Sequence, residues 1–213
     1  AHAIQLCKEF VNNEKFLVFL GDNIIQKSIN EFALKFEKSN FDATVLLCKV
    51  DNPSRFGIAS VKEGKIIKII EKPKNPSSDL AVTGIYFLSS KIFDIIDNLK
   101  PSWRNELEIT DALDILLEKN HNLNYEIITD YWKDTGTPED IIHANGQLIE
   151  KMDPFFFGVQ EDNVKINGKV IVGKNSLIKS DVIINGPVII GENCLINSGT
   201  IIGPNVSIGD NST

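Results

Sequence analysis

The sequence predicts an α/β domain followed by a parallel β-helix built from hexapeptide repeats, and three observations carry this reading. Apolar runs at Phe16–Leu20 and Ala43–Val50 bracket a segment, Ile25–Phe36, whose apolar residues recur at helical spacing. From Ile166 to Ile208 an aliphatic residue then stands at every sixth position, a period that neither an ordinary strand nor a helix produces. With 213 residues, 42% hydrophobic and 24% charged, the chain is long enough for one or two globular domains with real cores.

The same composition excludes several classes. No apolar run reaches the roughly 20 residues of a membrane span, and no secretory signal opens the chain. A formal net charge of -7 argues against nonspecific binding to nucleic acid backbones, though not against small anionic substrates held by local lysines and a cation. Cys7, Cys48 and Cys194 are odd in number and form no CxxC pair. They read as small buried apolar groups in a reducing, cytoplasmic setting rather than as zinc ligands or a disulfide framework. His2, His121 and His143 show no ligand spacing.

In chain order, Ala1–Val11 places Ile4, Cys7, Phe10 and Val11 on one helical face but offers no N-cap. Phe16–Leu20 reads as a parallel strand buried on both faces, ending in Gly21-Asp22-Asn23. In open α/β sheets ligands sit beyond the carboxyl ends of strands, so Asp22 stands where chemistry is found, although Gly-Asp-Asn is also an ordinary turn. After Ile25–Phe36 and Ala43–Val50, Gly57–Val61 and Ile66–Ile70 flank Lys62-Glu63-Gly64-Lys65 as a hairpin running into Glu71-Lys72-Pro73. Leu80–Leu88 is a strand interrupted by Gly84, where something approaches the backbone too closely for a side chain. Ser89 or Ser90 can cap a helix through Leu99, and Thr110-Asp111 starts another. Leu123–Thr129 alternates as a strand, and Tyr131–Gly136 is a short strand or turn. Thr137-Pro138-Glu139-Asp140 combines a hydroxyl cap, proline at the first position and acids in the first turn, so a helix runs from there to about Met152.

The tail obeys its own rule. Ile166, Val172, Ile178, Ile184, Ile190, Ile196, Ile202 and Ile208 should fill one shared interior. A small or β-branched residue stands two positions before each. Gly173, Gly191, Gly203 and Gly209, with Asn167, Asn185, Asn197 and Asn205, fall where the corners turn. The expected domains are residues 1–153 and 160–213.

Six blocks in the first domain carry a resemblance: Leu20-Gly21-Asp22-Asn23, Asn52–Gly57, Glu71-Lys72-Pro73, Val82–Phe87, Glu106–Ala112 and Trp132–Gly136. In this order they resemble the sugar-1-phosphate nucleotidylyltransferases, most closely the long form of glucose-1-phosphate thymidylyltransferase, several branches of which append a left-handed β-helix. The resemblance implies a Rossmann-like fold and transfer of a nucleotidyl group from a nucleoside triphosphate, dTTP in that family member, to a sugar 1-phosphate such as glucose 1-phosphate, with release of pyrophosphate. It implies Mg²⁺ held by Asp22 and Asp134, and Lys72 neutralising the sugar phosphate. Glu71, Glu108 and the Thr83-Gly84 backbone would meet sugar hydroxyls, with Gly57 giving close approach. It also implies a homo-oligomer at full length. The chemistry suits these residue types, because the reactants are polyanions and catalysis is mostly positioning and charge neutralisation. Without the resemblance, Glu71-Lys72 would be a solvated hairpin end, Asp134 a turn residue, Trp132 core, and Arg55 and Arg104 structural or surface charges.

One departure stands out. The family's glycine-rich triphosphate loop, with its Gly-Thr-Arg signature, is nowhere in these residues, nor is the strand that leads into it. The chain therefore reads as a fragment, inactive alone, with Phe16–Leu20 left at a sheet edge. Two other functions fit the same residues. One is a bifunctional sugar-1-phosphate uridylyltransferase and acetyltransferase, although no histidine follows His143 to serve as the acetyl-transfer base. The other is a non-catalytic regulatory homologue.

Overall fold

The computed structural model describes residues 1–213 and divides them into two units, Ala1–Asp134 and Thr135–Thr213. The first unit opens with two single-turn helices, α1 (His2–Gln5) and α2 (Lys8–Val11). There follow β1 (Phe16–Phe19), β2 (Asn23–Ile25), α3 (Asn30–Lys38), β3 (Ala43–Lys49), β4 (Gly57–Lys62), β5 (Lys65–Glu71) and β6 (Leu80–Leu88). The unit continues with α4 (Lys91–Ile96), α5 (Ile109–Glu118), β7 (Leu123–Ile128) and β8 (Trp132–Asp134).

Strand β6 is the hub. Eight of its nine residues are buried, as its nearly unbroken apolar sequence demands. β3 pairs along one edge of it, from Leu80 to Leu88. The other edge is shared end to end: β4 reaches it at Ala81, and β1 pairs with Ile85–Leu88. Side chains alternate across the sheet. Val45, Leu47, Val82, Tyr86 and Leu88 face a core under α4 and α5, while Leu46, Ile85 and Phe87 face a second core under α3, with Phe32 and Phe36.

Several expectations change here. The strand–helix alternation predicts a parallel sheet, yet β7 on β3 is the one parallel pair; β1, β3 and β4 all run antiparallel to β6, and β4–β5 is the expected hairpin. β1 is antiparallel and half-buried rather than buried on both faces. Phe16 stacks on Phe93 at 5.4 Å, while Leu17 and Phe19 stay about 40% exposed, and β6 is its single strand partner. The edge position was expected. Ile24 and Ile25 pair with β8, so the next helix starts at Asn30, because strand pairing overrides local helix spacing. The opening helix breaks at Leu6-Cys7, which buries Ile4 and Val11 but leaves Phe10 and Cys7 exposed. Ser90 makes no cap bond, and Ser89 Oγ is buried without a partner.

In the second unit, α6 (Pro138–Glu150) begins as the sequence requires: Asp140 N–H donates to Thr137 Oγ1 at 3.2 Å, and Thr137 Oγ1 donates to Asp140 Oδ2 at 2.9 Å. This helix groups with the repeats, ahead of the predicted boundary at 153. The repeats form β9 (Val159–Gln160), β10 (Lys165–Asn167), β11 (Val170–Val172), β12 (Leu177–Ile178), β13 (Ile183–Asn185), β14 (Val188–Ile190), β15 (Leu195–Ile196), β16 (Ile201–Ile202) and β17 (Val206–Ile208). They make three parallel three-stranded sheets, β10-β13-β16, β11-β14-β17 and β9-β12-β15.

Val172, Ile178, Ile184, Ile190, Ile196 and Ile202 share one buried cluster with Val170, Val182, Val188 and Cys194. Ile208 is partly buried. Ile166 departs from expectation at 36% exposed, because β10 stacks on β13 alone and lies at the end of its sheet. The corners also differ. Of the expected corner residues only Gly203 and Asn205 take a positive, left-handed φ; it also occurs at Gly168 and at Asn163, Asn175, Asp181, Asn193, Gly199 and Asn211, and apart from Gly168 and Gly203 each of these positions lies three residues before an aliphatic position, or where the next would fall. Asn and Asp tolerate that region because their short polar side chains bond locally. Asn167 and Asn185 instead form a ladder, Nδ2 to Oδ1 at 3.0 Å.

Candidate active site

On the shared edge of β6, β1 leaves at Ile85 and β4 joins at Ala81. The opening between them is a cavity of about 240 Å³ lined by Leu20, Asp22, Asn23, Arg55, Phe56, Gly57, Glu71, Lys72, Val82, Gly84, Tyr86, Glu108, Ile109, Thr110, Trp132 and Asp134. Seven of the eight residues expected at the site line it: Asp22, Gly57, Glu71, Lys72, Gly84, Glu108 and Asp134. Thr83 does not. It is fully buried, and its Oγ1 donates to the Leu46 carbonyl at 2.9 Å, because strand alternation sends it away from the side used by Gly84.

Asp22 immediately precedes the two-strand ladder β2–β8, in which Asn23 pairs with Asp134, and both aspartates line the cavity. No cluster of three or more His, Cys, Asp or Glu exists to hold a softer or more demanding metal. Two carboxylates beside an open cavity fit a magnesium-like ion, which takes one or two protein oxygens and keeps its remaining positions for phosphate and water.

Across the cavity the end of β5 supplies Glu71 and Lys72. Lys72 adopts a left-handed backbone, φ 41°, held by its N–H bond to the Phe56 carbonyl at 3.0 Å. A non-glycine residue held there is the local strain that functional sites carry. Its side chain is exposed, and its charge acts on the neighbouring Glu71 carboxylate. Glu71 Oε2 accepts from Thr110 Oγ1 at 3.0 Å, and Arg104 Nη1 bridges Glu71 Oε1 at 3.4 Å and Glu108 Oε1 at 3.3 Å. Ser102 Oγ adds a bond to Glu108 Oε1 at 3.0 Å. Burial pushes the Glu71 carboxyl above its ordinary range and the Glu108 charge adds to this, while the Thr110 bond, Lys72 and Arg104 pull the other way. Tyr86, buried beneath the cavity, has its phenol pushed up by burial and by the charges of Glu71 and Asp22.

The two glycines serve packing within the protein. A Cβ on Gly57 would lie 2.5 Å from Thr110 Cγ2, and one on Gly84 would lie 2.3 Å from Asn23 Nδ2. The Gly84 N–H donates to Asn23 Oδ1, and its carbonyl accepts from Leu20 N–H at 2.8 Å, so both backbone groups expected to meet sugar hydroxyls have partners within the protein. Sequence reasoning passed over Asn23, Tyr86, Thr110 and Arg104. Only the Glu106–Ala112 block signalled Thr110, while Arg104 looked like any surface arginine until the fold set it between two carboxylates. Trp132, read as core, lines the cavity, with its ring edge-on to Phe56 at 5.6 Å.

Carboxylates on one wall and a lysine on another stand together at a break in the strand pairing of an α/β sheet, residue types that could hold a cation and a phosphorylated ligand. The chain belongs to the nucleotidyl transferase family, whose sequence model matches residues 1–151, and a bacterial transferase hexapeptide model (six repeats) matches residues 187–213. It is 40% identical over 177 residues to the low-salt glycan biosynthesis nucleotidyltransferase Agl11 of Haloferax volcanii, covering 83% of this chain and 50% of that protein. It is 35% identical over 185 residues to a glucose-1-phosphate thymidylyltransferase of Streptomyces antibioticus, covering 86% and 52%. The bifunctional protein GlmU of Methanococcus maripaludis is 39% identical over 181 residues, covering 84% and 42%. The chain thus spans about half the length of the curated relatives it matches. Among solved structures, a proposed glucose-1-phosphate thymidylyltransferase of Bacillus anthracis bound to sucrose superposes with a TM-score of 0.65 at 43% identity, covering 73% of this chain and 63% of that one. A UDP-glucose pyrophosphorylase complexed with UDP-glucose gives 0.62 at 28%, covering 71% and 62%. The Rossmann-like sheet domain and the hexapeptide region both follow from these matches. Members of this family generally use divalent metal ions.

Proposed function

We propose that the protein transfers a nucleotidyl group from a nucleoside triphosphate, dTTP in the first instance, to glucose 1-phosphate, and that its tail is a left-handed β-helix that assembles a homo-oligomer. The observation that carries the first part is the convergence of Asp22, Asp134, Lys72, Glu71 and Glu108 on one cavity. A phosphate oxygen of the sugar 1-phosphate attacks the α-phosphorus of the triphosphate. The bond from that phosphorus to the bridging oxygen breaks, and pyrophosphate leaves. Lys72, a compact charge on a flexible stem, neutralises the sugar phosphate so that the two anions can approach. Glu71 and Glu108, bridged and held in place by Arg104, accept from sugar hydroxyls and fix the attacking group in line. Asp22 and Asp134 would hold a Mg²⁺ ion, which when bound supplies charge neutralisation for the phosphates.

The choice of dTTP draws on the thymidylyltransferase relatives; UTP is the competing donor, given the GlmU relatives. The test is pyrophosphate release in the protein as the cell makes it, with dTTP and UTP in parallel, for wild type and Asp22→Asn. Turnover with dTTP that is lost in Asp22→Asn, with the circular dichroism spectrum kept, is expected. Wild-type rates in Asp22→Asn would sink the metal assignment, and no turnover with any donor would favour the regulatory homologue.

A further inference from the structure

We propose that Asn23 is a positioning residue that sets the orientation of the Asp22 carboxylate and ties it to the cavity floor and wall. This rests on the reading of Asp22 as a cation ligand. Asn23 is 9% exposed, a polar side chain whose burial must be matched by bonds. It makes three, to three different parts of the fold. Gly84 N–H, on β6, donates to Oδ1 at 3.2 Å, and Trp132 Nε1–H, on β8, donates to Oδ1 at 2.7 Å. Nδ2 donates to Asp22 Oδ1 at 2.9 Å.

These contacts fix which end of the amide is which. A backbone N–H and an indole N–H can only donate, so the atom between them is the carbonyl oxygen, with both lone pairs used. The NH₂ is therefore forced to the Asp22 side, where it holds one carboxylate oxygen. Gly84 closes the arrangement from below, since even a methyl there would overlap the amide. The amide cannot turn without giving up two buried bonds. Asp22 lies in a turn, and Asn23 ties its carboxylate to the rigid β6 and β8 strands. Hydrogen-bonding partners of this kind, behind a metal ligand, typically change metal affinity by about 10–100-fold when removed.

The experiment is Mn²⁺ titration followed by electron paramagnetic resonance, in wild type, Asp22→Asn, Asn23→Ala and Ile85→Val. Ile85 is fully buried on the opposite face of β6, so Ile85→Val loosens the same strand without touching the cavity. Asp22→Asn should lose Mn²⁺ binding, Asn23→Ala should weaken it about tenfold, and Ile85→Val should leave it within experimental error of wild type. Should Asn23→Ala fail to fold, Asn23→Ser, which keeps a hydroxyl acceptor toward Gly84 and Trp132, is expected to show the same weakening. Unchanged affinity in a folded Asn23 variant, with binding lost in Asp22→Asn, overturns the positioning role and leaves the proposed function standing. An equal loss in Ile85→Val assigns the effect to strand stability and also overturns it. Unchanged affinity in Asp22→Asn takes down the cation reading itself.

Discussion

Gly84→Ala puts the packing beneath the site to a quantitative test. The new methyl would lie 2.3 Å from Asn23 Nδ2, 2.9 Å from its Cγ and 3.0 Å from Leu20 Cβ. The backbone at Gly84 is not left-handed, so alanine suits it, and stiffening the unfolded chain would by itself stabilise by about 0.4–1 kcal/mol. Against this, Asn23 must move by about 1 Å although Trp132 and Asp22 hold its amide, an overpacking cost of about 1–3 kcal/mol. The Gly84–Asn23 hydrogen bond goes with it, at about 1 kcal/mol. The net expectation is a loss of roughly 1–3 kcal/mol, read as a lower urea midpoint with an unchanged slope. Trp132 fluorescence in a Trp103→Phe background reports on the unit concerned, since these are the two tryptophans of the chain. In an Asn23→Ala background the two shortest contacts vanish and the Leu20 contact remains. The same glycine substitution should then cost about 1–2 kcal/mol less, a coupling of the size found between touching residues. Additivity within about 0.5 kcal/mol would refute the clash, and with it the placement of the Asn23 amide over Gly84.

The remaining expectations are independent of that one. Because the Glu71 carboxyl is raised, its charge opposes folding above its folded pKa, and this penalty is relieved as pH falls through that value; Glu71→Gln should therefore be no less stable than wild type at neutral pH while raising KM for the sugar phosphate. Wild-type KM should itself rise on acidification, starting above the pH at which an ordinary glutamate titrates, and a flat KM profile would count against Glu71 as a hydroxyl acceptor. In the tail, Ile184→Ala at a fully buried position should cost about 2–5 kcal/mol, whereas Ile201→Ala, 70% exposed, should fall within about 0.5 kcal/mol in the same denaturation assay. The edge of β1, with Leu17 and Phe19 exposed, should make this 213-residue chain self-associate in sedimentation velocity, and Leu17→Lys with Phe19→Lys should reduce it.

The sequence alone determined whatever depends on local periodicity or on blocks of adjacent residues. A spacing of six produced the three parallel sheets and their shared interior, because each repeat meets only its neighbours and no long-range choice intervenes. Thr137 and Asp140 cap α6 because capping involves residues three apart. The motif blocks likewise put Asp22, Lys72, Glu71, Glu108 and Asp134 in one cavity. Tertiary structure decided the rest. An apolar run such as Phe16–Leu20 does not encode the direction of its partner, so only the assembled sheet made β1 antiparallel and half exposed. Ile25 became strand rather than the start of a helix because β8, more than 100 residues on, pairs with it. Gly84 looked like room left for a ligand, and the fold filled it with the Asn23 amide. Arg104 became the bridge between Glu71 and Glu108 because α5 and the end of β5 come together there. Such contacts join residues tens of positions apart, and the free energy that selects them comes from burial and hydrogen bonding in three dimensions, which no local pattern records.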